Sequence, residues 1–499
     1  MVVASFPRWR RRAENRFWEM RLQARLFRKL SELNAGPMKY SANLPSLRLS
    51  AIPSYLIFFV VAGAPLPYGS YDKTTIAFWC FVLGVTAVAT ALSPISLRKA
   101  HLWLLGGIGL IVVFYAFVLH EQLADHPWIA SPDPLWAKAS QALRMELTPS
   151  VSIVRGEPLF ALGPSLACVL ALTCGLVVGA DREQARRLLQ VVAWSGAAYA
   201  AYGIVSFLFE PTTLLWREKR AYIGNLTGTF VNRNTAAAYF GSCSVVWLLL
   251  LMEKVRRHLR TDTIDWKRVP ARLMTNPPRI LVLYFSMFFL CLMALFLTVS
   301  RAGVVLSLFA LIVTFVVYFR RDLPPRSGIW IALMAGTAIA LVLLQFLGGR
   351  VSSRFDVQGL ADEGRLAAFR STVKMIADHP WFGTGLGTFP WAAPAYRSPD
   401  ISMWGVWDIA HNTPLELAAE LGLPLAGAVS LGWGIMLAVL IHGIRTRRRD
   451  VIVPLAAFSV SMIAILHSCV DFSLQIPGYA IVVFAMVGAG LGQSFRSKA

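Results

Sequence analysis

The sequence predicts an all-α polytopic membrane protein that crosses the bilayer about twelve times. Of its 499 residues 56% are hydrophobic and 15% charged, where soluble domains carry about 25% charged residues. The apolar residues gather into runs of about 17–23, the length that spans a bilayer core as helix. These runs lack the alternation of barrel strands, and in lipid only helices or closed barrels satisfy the backbone.

Residues 1–50 form a basic N-terminal arm. Trp18, Leu22, Leu26, Leu30 and Leu33 share one helical face, with Arg21, Arg25, Arg28 and Lys29 around it. Such a helix suits an anionic leaflet or a partner protein. Ala62-Gly63-Ala64 has the look of a cleavage site, but the arm is too long for a signal-peptide head, so the first span is read as retained. The integral domain is then 51–499. Its spans are expected near 52–68, 74–93, 102–120, 157–179, 188–209, 235–252, 280–299, 302–319, 329–347, 413–442, 451–470 and 478–494.

Charge sets the orientation. With both termini inside, the inner segments hold 33 Lys/Arg and 10 Asp/Glu and the outer ones 15 and 17, which together account for the 48 and 27 of the chain. This is the positive-inside bias. It places three long loops outside: 121–156, 210–234 and 348–412. The net charge of +21 thus follows from topology and calls for no nucleic-acid partner. All six cysteines fall in expected spans, which argues against a disulfide framework or a cysteine-based zinc site.

Loop 348–412 is the largest polar interruption, and long loops tend to be functional. Within it, residues 365–379 read as a helix. Leu366, Phe369, Val373 and Ile376 recur on one face suited to the outer leaflet, and Arg370 and Lys374 stand on another. His379-Pro380 ends it. Gly383-Thr384-Gly385-Leu386-Gly387 follows no strand and opens no βαβ unit, so it reads as a backbone turn and not as a nucleotide loop.

Arg301 lies between two apolar runs with almost no loop to carry it into water. It either snorkels to headgroups or serves as an anion ligand. Arg233, flanked by Asn232 and Asn234, is either an ordinary helix-boundary cation or a second such ligand. Two arginines at one membrane surface suit a lipid-borne diphosphate, since guanidinium binds phosphate through two hydrogen bonds. His411, beside Asn412, either caps a helix or acts as a base; the unperturbed pKa of histidine, about 6.5, suits base chemistry near neutrality. Glu416 and Glu420 follow Asn412 at four-residue spacing on one helical face. No metal-binding spacing is present, and no cofactor is called for.

Five blocks, in this order and sidedness, resemble the O-antigen ligase and O-antigen polymerase superfamily. They are Gly228–Asn234, Ser300–Gly303, Arg365 through Phe389, His411–Glu416 and His467–Pro477, covering about residues 225–480. The resemblance implies a GT-C-like transferase of the bacterial inner membrane, with both termini cytoplasmic. It implies transfer of a glycan from a polyprenyl-diphosphate carrier to an acceptor hydroxyl on the periplasmic face, without metal or nucleotide. Arg233 and Arg301 would hold the diphosphate, and His411 would be the base. Glu416 would orient His411 or the acceptor. Asn232, Asn412, Arg365 and Arg370 are further candidate contacts. The acceptor is lipid A–core for a ligase, a glycan repeat for a polymerase and a protein hydroxyl for an O-oligosaccharyltransferase. The first two are favoured, because no further domain follows the last span. A flippase for the same lipid-linked glycan and a scaffold for polysaccharide export machinery are the competing classes.

Overall fold

The computed structural model describes residues 51–259, 277–323, 327–349, 363–401, 407–447 and 451–495. The basic arm expected over 1–50 lies outside them. Helices dominate. The first half holds α1 (Ile52–Gly63), α2 (Lys73–Leu92), α3 (Lys99–Leu123), α4 (Pro134–Leu143), α5 (Glu157–Phe160), α6 (Gly163–Gly179), α7 (Arg182–Phe209) and α8 (Arg233–Leu259). The second half holds α9 (Arg279–Leu297), α10 (Arg301–Phe319), α11 (Ser327–Leu347), α12 (Glu363–Asp378), α13 (Phe389–Tyr396), α14 (Thr413–Leu421), α15 (Leu423–Thr446), α16 (Ile452–Ser468) and α17 (Pro477–Gly492). A two-residue antiparallel hairpin, β1 (Thr213–Leu214) with β2 (Arg217–Glu218), tips the second long loop.

Among the described residues nine helices are long and apolar enough to cross a membrane, taking α5 and α6 as one. Three shorter apolar helices, α1, α16 and α17, occupy the remaining expected spans. Helix α8 is the hub. It is almost wholly buried and carries Tyr239, Phe240 and Trp247 into the core. Helices α7, α9, α10 and α16 surround it. Helix α11 is peripheral, burying only Gly328.

Packing relies on small residues. Lipid is as apolar as leucine, so helices in a bilayer associate by close approach. Where α6 crosses α17, a Cβ on Gly175 would sit 2.4 Å from the Ala485 carbonyl oxygen, and one on Gly488 would sit 2.3 Å from that of Leu172. At one end of the bundle ion pairs join the helices, Arg186 to Glu253 at 2.6 Å and Arg256 to Asp322 at 3.2 Å. The described parts of the three long loops gather at the other end.

The expected span 413–442 is two helices. Gly422 breaks it, with φ 82 and ψ 160, a backbone region open essentially to glycine alone. The break lets the Trp381 carbonyl oxygen come within 2.1 Å of where a Cβ would stand, and the Leu423 N–H donates to the Pro380 carbonyl at 2.8 Å. Helix α14 therefore belongs to the loop layer, and α15 is the spanning piece. Cys469, expected inside a span, is exposed at the end of α16.

Candidate functional site

The described parts of the loop layer are clasped from several sides. Glu121, near the end of α3, accepts the N–H groups of Trp128, Ile129 and Ala130 at 2.8–3.1 Å, which fixes the turn into the first loop. The Gln122 amide nitrogen donates to the Phe382 and Glu420 carbonyls, and its oxygen accepts from the Leu386 N–H. His379 ends α12 and lies 3.4 Å from Asp133 of the first loop. The glycine turn also packs on protein. Gly383, Gly385 and Gly387 all have positive φ, and the Thr384 and Gly385 N–H groups donate to the Ala419 and Glu420 carbonyls of α14.

Helix α12 matches the expected helix closely. Leu366 and Val373 keep exposed surface, as an outer-leaflet face would, while Ile376 is buried. A second face, Ala367, Ala368, Ser371, Thr372 and Met375, is buried. It packs against α13 and α14. Hydrophobic periodicity points to the lipid-side residues and misses this face, because small and hydroxyl-bearing side chains carry little apolar signal.

The candidate site forms where α8, α10 and α14 begin and α16 ends. Asn234 is its pivot. Its side-chain oxygen accepts from the Ser300 hydroxyl at 2.8 Å, and its amide nitrogen donates to the Asp471 carboxylate. Arg233 precedes Asn234, and Arg301 follows Ser300. One side-chain hydrogen bond thus pins the two arginine-bearing helix starts together. The Arg233 guanidinium lies 5.0 Å over the Tyr222 ring, a cation–π contact that steadies it. Asn232 is buried and its oxygen accepts the Asn234 N–H at 2.7 Å, while its own amide nitrogen has no hydrogen-bond partner among the described residues. Ser300 caps α10 by accepting the Gly303 N–H.

His411 sits on the turn before α14 in a left-handed conformation, φ 53, which is uncommon outside glycine and marks a position held by its surroundings. Its Nδ1 lies 3.6 Å from an Asp471 carboxylate oxygen, just beyond hydrogen-bond reach. The ring is held edge-on between Trp407 at 5.5 Å and Phe472 at 5.2 Å. A carboxylate can only accept, so this contact favours the proton on Nδ1 and leaves Nε2, on the opposite edge, as the acceptor. Asn412 caps α14 by accepting the Leu415 N–H at 3.1 Å and donates to the Cys469 carbonyl at 2.8 Å.

Asp471 is the residue that sequence reasoning missed. Its side chain is 1% exposed. Burial alone would raise its carboxyl, but the combined pull of His411, His467, Arg365 and the Phe472 N–H holds it below the usual aspartate range. Arg365 reaches this hub from α12, its guanidinium donating to the Val470 carbonyl at 2.7 Å. Arg370 lies elsewhere, in an exposed pairing with Asp400 at 3.9 Å. Among the described residues no hydrogen bond joins Glu416 to the His411 ring. Its carboxylate accepts the Ala410 N–H at 2.7 Å and so holds the backbone from which His411 projects. Glu420, one turn further along α14, accepts the Phe389 N–H at 2.9 Å. Burial raises both carboxyls, and their mutual repulsion adds to the rise at Glu416. Among the described residues no three His, Cys, Asp or Glu side chains gather as a metal site would.

Residues 286–430 match the family profile described as O-antigen ligase. This segment belongs to the O-antigen ligase family. It runs from α9 into α15 and takes in Arg301, Arg365, Arg370, His411, Asn412 and Glu416. Asn232, Arg233, Asn234 and Asp471 lie outside the matched segment and join it only in three dimensions. No curated protein matches the chain. The O-antigen ligase domain indicates a role in moving lipid-linked glycan, within a multi-pass membrane protein.

Proposed function

We propose that the protein is a periplasmic-face glycosyltransferase of the O-antigen ligase or polymerase type, working in the bacterial inner membrane with both termini cytoplasmic. Its donor is a glycan on a polyprenyl-diphosphate carrier, and its acceptor is a hydroxyl of lipid A–core or of another glycan repeat. The observation that carries this reading is the hydrogen-bonded chain Ser300–Asn234–Asp471, whose carboxylate faces His411 at 3.6 Å. It ties a base to the two helix starts that bear arginine.

The proposed step balances as a single displacement. The acceptor oxygen attacks the anomeric carbon while the bond from that carbon to the diphosphate oxygen breaks. The acceptor proton passes to Nε2 of His411, and Asp471 stabilises the resulting imidazolium. The polyprenyl diphosphate leaves with its electron pair. Arg233 and Arg301 stabilise its growing charge, helped by the positive ends of α8 and α10. Fixed guanidinium groups supply this charge without a metal. Attack opposite the leaving group inverts the anomeric centre.

The test is product formation by purified protein given carrier-linked glycan and acceptor, without ATP. The variants Arg233→Ala, Arg301→Ala and His411→Ala should each abolish product while remaining folded. Full transfer by any of them would overturn the assignment of that residue, and transfer by all three would overturn the site.

A further inference from the structure

A cavity of about 340 Å³ opens in the loop layer beside His411. It lies between α12 and α13, with segment 407–409 closing one wall. Phe389, Tyr396 and Trp407 supply aromatic surface, Ser371 brings a hydroxyl to the α12 wall, and the exposed Arg397 and Asp408 stand at the lining as charges. The Tyr396 ring is anchored, its hydroxyl donating to Asp378 at 2.9 Å. The size lies at the small end of small-molecule sites, roughly 300–1,000 Å³.

Sugar rings present an apolar C–H face ringed by hydroxyls. Aromatic walls with a polar and charged rim match that pattern, and a lipid chain would meet the charges at a cost. The position within the site assigns the occupant. On one side His411 faces Asp471, which leads through Asn234 and Ser300 to the arginine-bearing helix starts. On another its ring meets Trp407, which lines the cavity. His411 thus stands between the arginine layer and the cavity.

We propose that this cavity is a sugar subsite for the acceptor glycan, seating a ring next to the one whose hydroxyl His411 deprotonates. The proposal rests on the transfer reading above for the word acceptor, while sugar binding in the cavity stands without it. It also explains why an aromatic residue of the cavity wall is shared with the base. A seated glycan would press Trp407 against the imidazole and fix its orientation.

The experiment places a thiol in the cavity. Ala393 lines it from α13, and the exposed Cys469 is removed, giving Ala393→Cys with Cys469→Ser. Labelling by a water-soluble maleimide is timed in the full-length protein. The additions are lipid A–core, delipidated surface polysaccharide from the same cells, and polyprenyl diphosphate bearing no sugar. One of the two glycans should slow labelling about tenfold, the effect of one aromatic contact and its buried area. Equal protection by the sugar-free lipid, or none by either glycan, overturns the proposal. A second variant, Ala393→Trp, fills the space. It should raise the KM for acceptor about tenfold and leave the KM for donor unchanged, a split that a folding defect does not produce. If the wild-type protein transfers nothing, the transfer reading fails and the protection test still decides whether sugar binds.

Discussion

Asp471→Asn is the substitution that separates a working base from a merely well-placed one. The change keeps size and leaves an oxygen for the Asn234 amide. It removes the charge that faces His411 Nδ1 at 3.6 Å. An asparagine side chain can also donate, so Nδ1 becomes an acceptor and the imidazole proton moves to Nε2. The ring then offers no lone pair to the acceptor hydroxyl. General-base catalysis contributes about 10²–10⁴ in rate, and most of it is lost with the wrong tautomer. We expect kcat to fall by about 10²–10⁴, with donor KM held within about twofold because the arginines are untouched. The fold should survive, since charge is lost but shape is not.

The assay is transfer of a labelled carrier-linked glycan, with Asp471→Asn, His411→Ala and the double variant compared at equal folded concentration. Residues acting as one unit are not additive. The double variant should be no slower than His411→Ala alone. Multiplied losses would refute the pairing, and so would an Asp471→Asn enzyme that keeps a third of its rate. The pH profile is an independent readout. The Asp471 carboxyl is held below its ordinary value, so its charge, and the stability it lends, should persist above the normal aspartate range. Both should fade only as pH falls through the lowered folded value.

Three other outcomes follow. Asn234→Leu removes one neutral and one charge-assisted hydrogen bond and leaves one oxygen of a buried carboxylate without its amide donor, so it should cost about 2–4 kcal/mol by thermal unfolding in detergent; an unchanged melting temperature would show that the pivot carries no load. Gly422→Ala puts a Cβ 2.1 Å from the Trp381 carbonyl oxygen at φ 82, and should cost about 2 kcal/mol or more and detach the glycine turn from α14, seen as new protease cleavage near residue 383. Glu416 and Glu420 bind their protons more tightly in the fold than in the unfolded chain. Stability should therefore be fully present below the ordinary glutamate value of 4.5 and be lost as pH rises through the raised folded values. Glu420→Gln should flatten that decline, and a wild-type melting temperature that climbs with pH over the same window would contradict it.

The parts of this molecule legible in the sequence share one cause. Lipid penalises charge, so arginines at the edges of apolar runs draw notice, and Arg233 and Arg301 are legible as candidates beside the ordinary reading of a snorkelling or helix-boundary cation. Apolar run length locates the spans for the same reason, and nine of the described helices are long and apolar enough to cross a membrane. Sequence reasoning runs out where the penalty is absent. Asp471 lies in a short polar turn and is indistinguishable there from any solvated loop aspartate. Its role comes from Asn234, 237 residues away. The break at Gly422 hides inside an apolar run, because it is caused by the backbone of Trp381 and Pro380 and not by local propensity. Glu416 follows the cap residue Asn412 by one turn and grips the Ala410 backbone, a contact set by the turn geometry at His411.

These observations also explain why the site gathers at helix ends. Inside the bundle each backbone group is consumed by its own helix, and polar side chains such as Ser242, Ser244 and Thr314 turn back to the carbonyl four residues earlier. Only at the ends do N–H groups, irregular turns and charges become available for a ligand. Three helix starts at one level give fixed positive ends, but such ends would diverge without a tie. The bonds from Asn234 to Ser300 and Asp471, and from Asn412 to the Cys469 carbonyl, supply it. The long loop completes the arrangement as a wall. Its glycine turn is clasped by Gln122 and α14, so the backbone carrying His411 is held from behind while the imidazole faces the junction of the tied helix starts. A base on a mobile loop would have to find the arginine layer at every turnover. Here the hydrogen bonds that hold the helices together also place the Asp471 carboxylate beside the histidine, whose ring is steadied by Trp407 and Phe472.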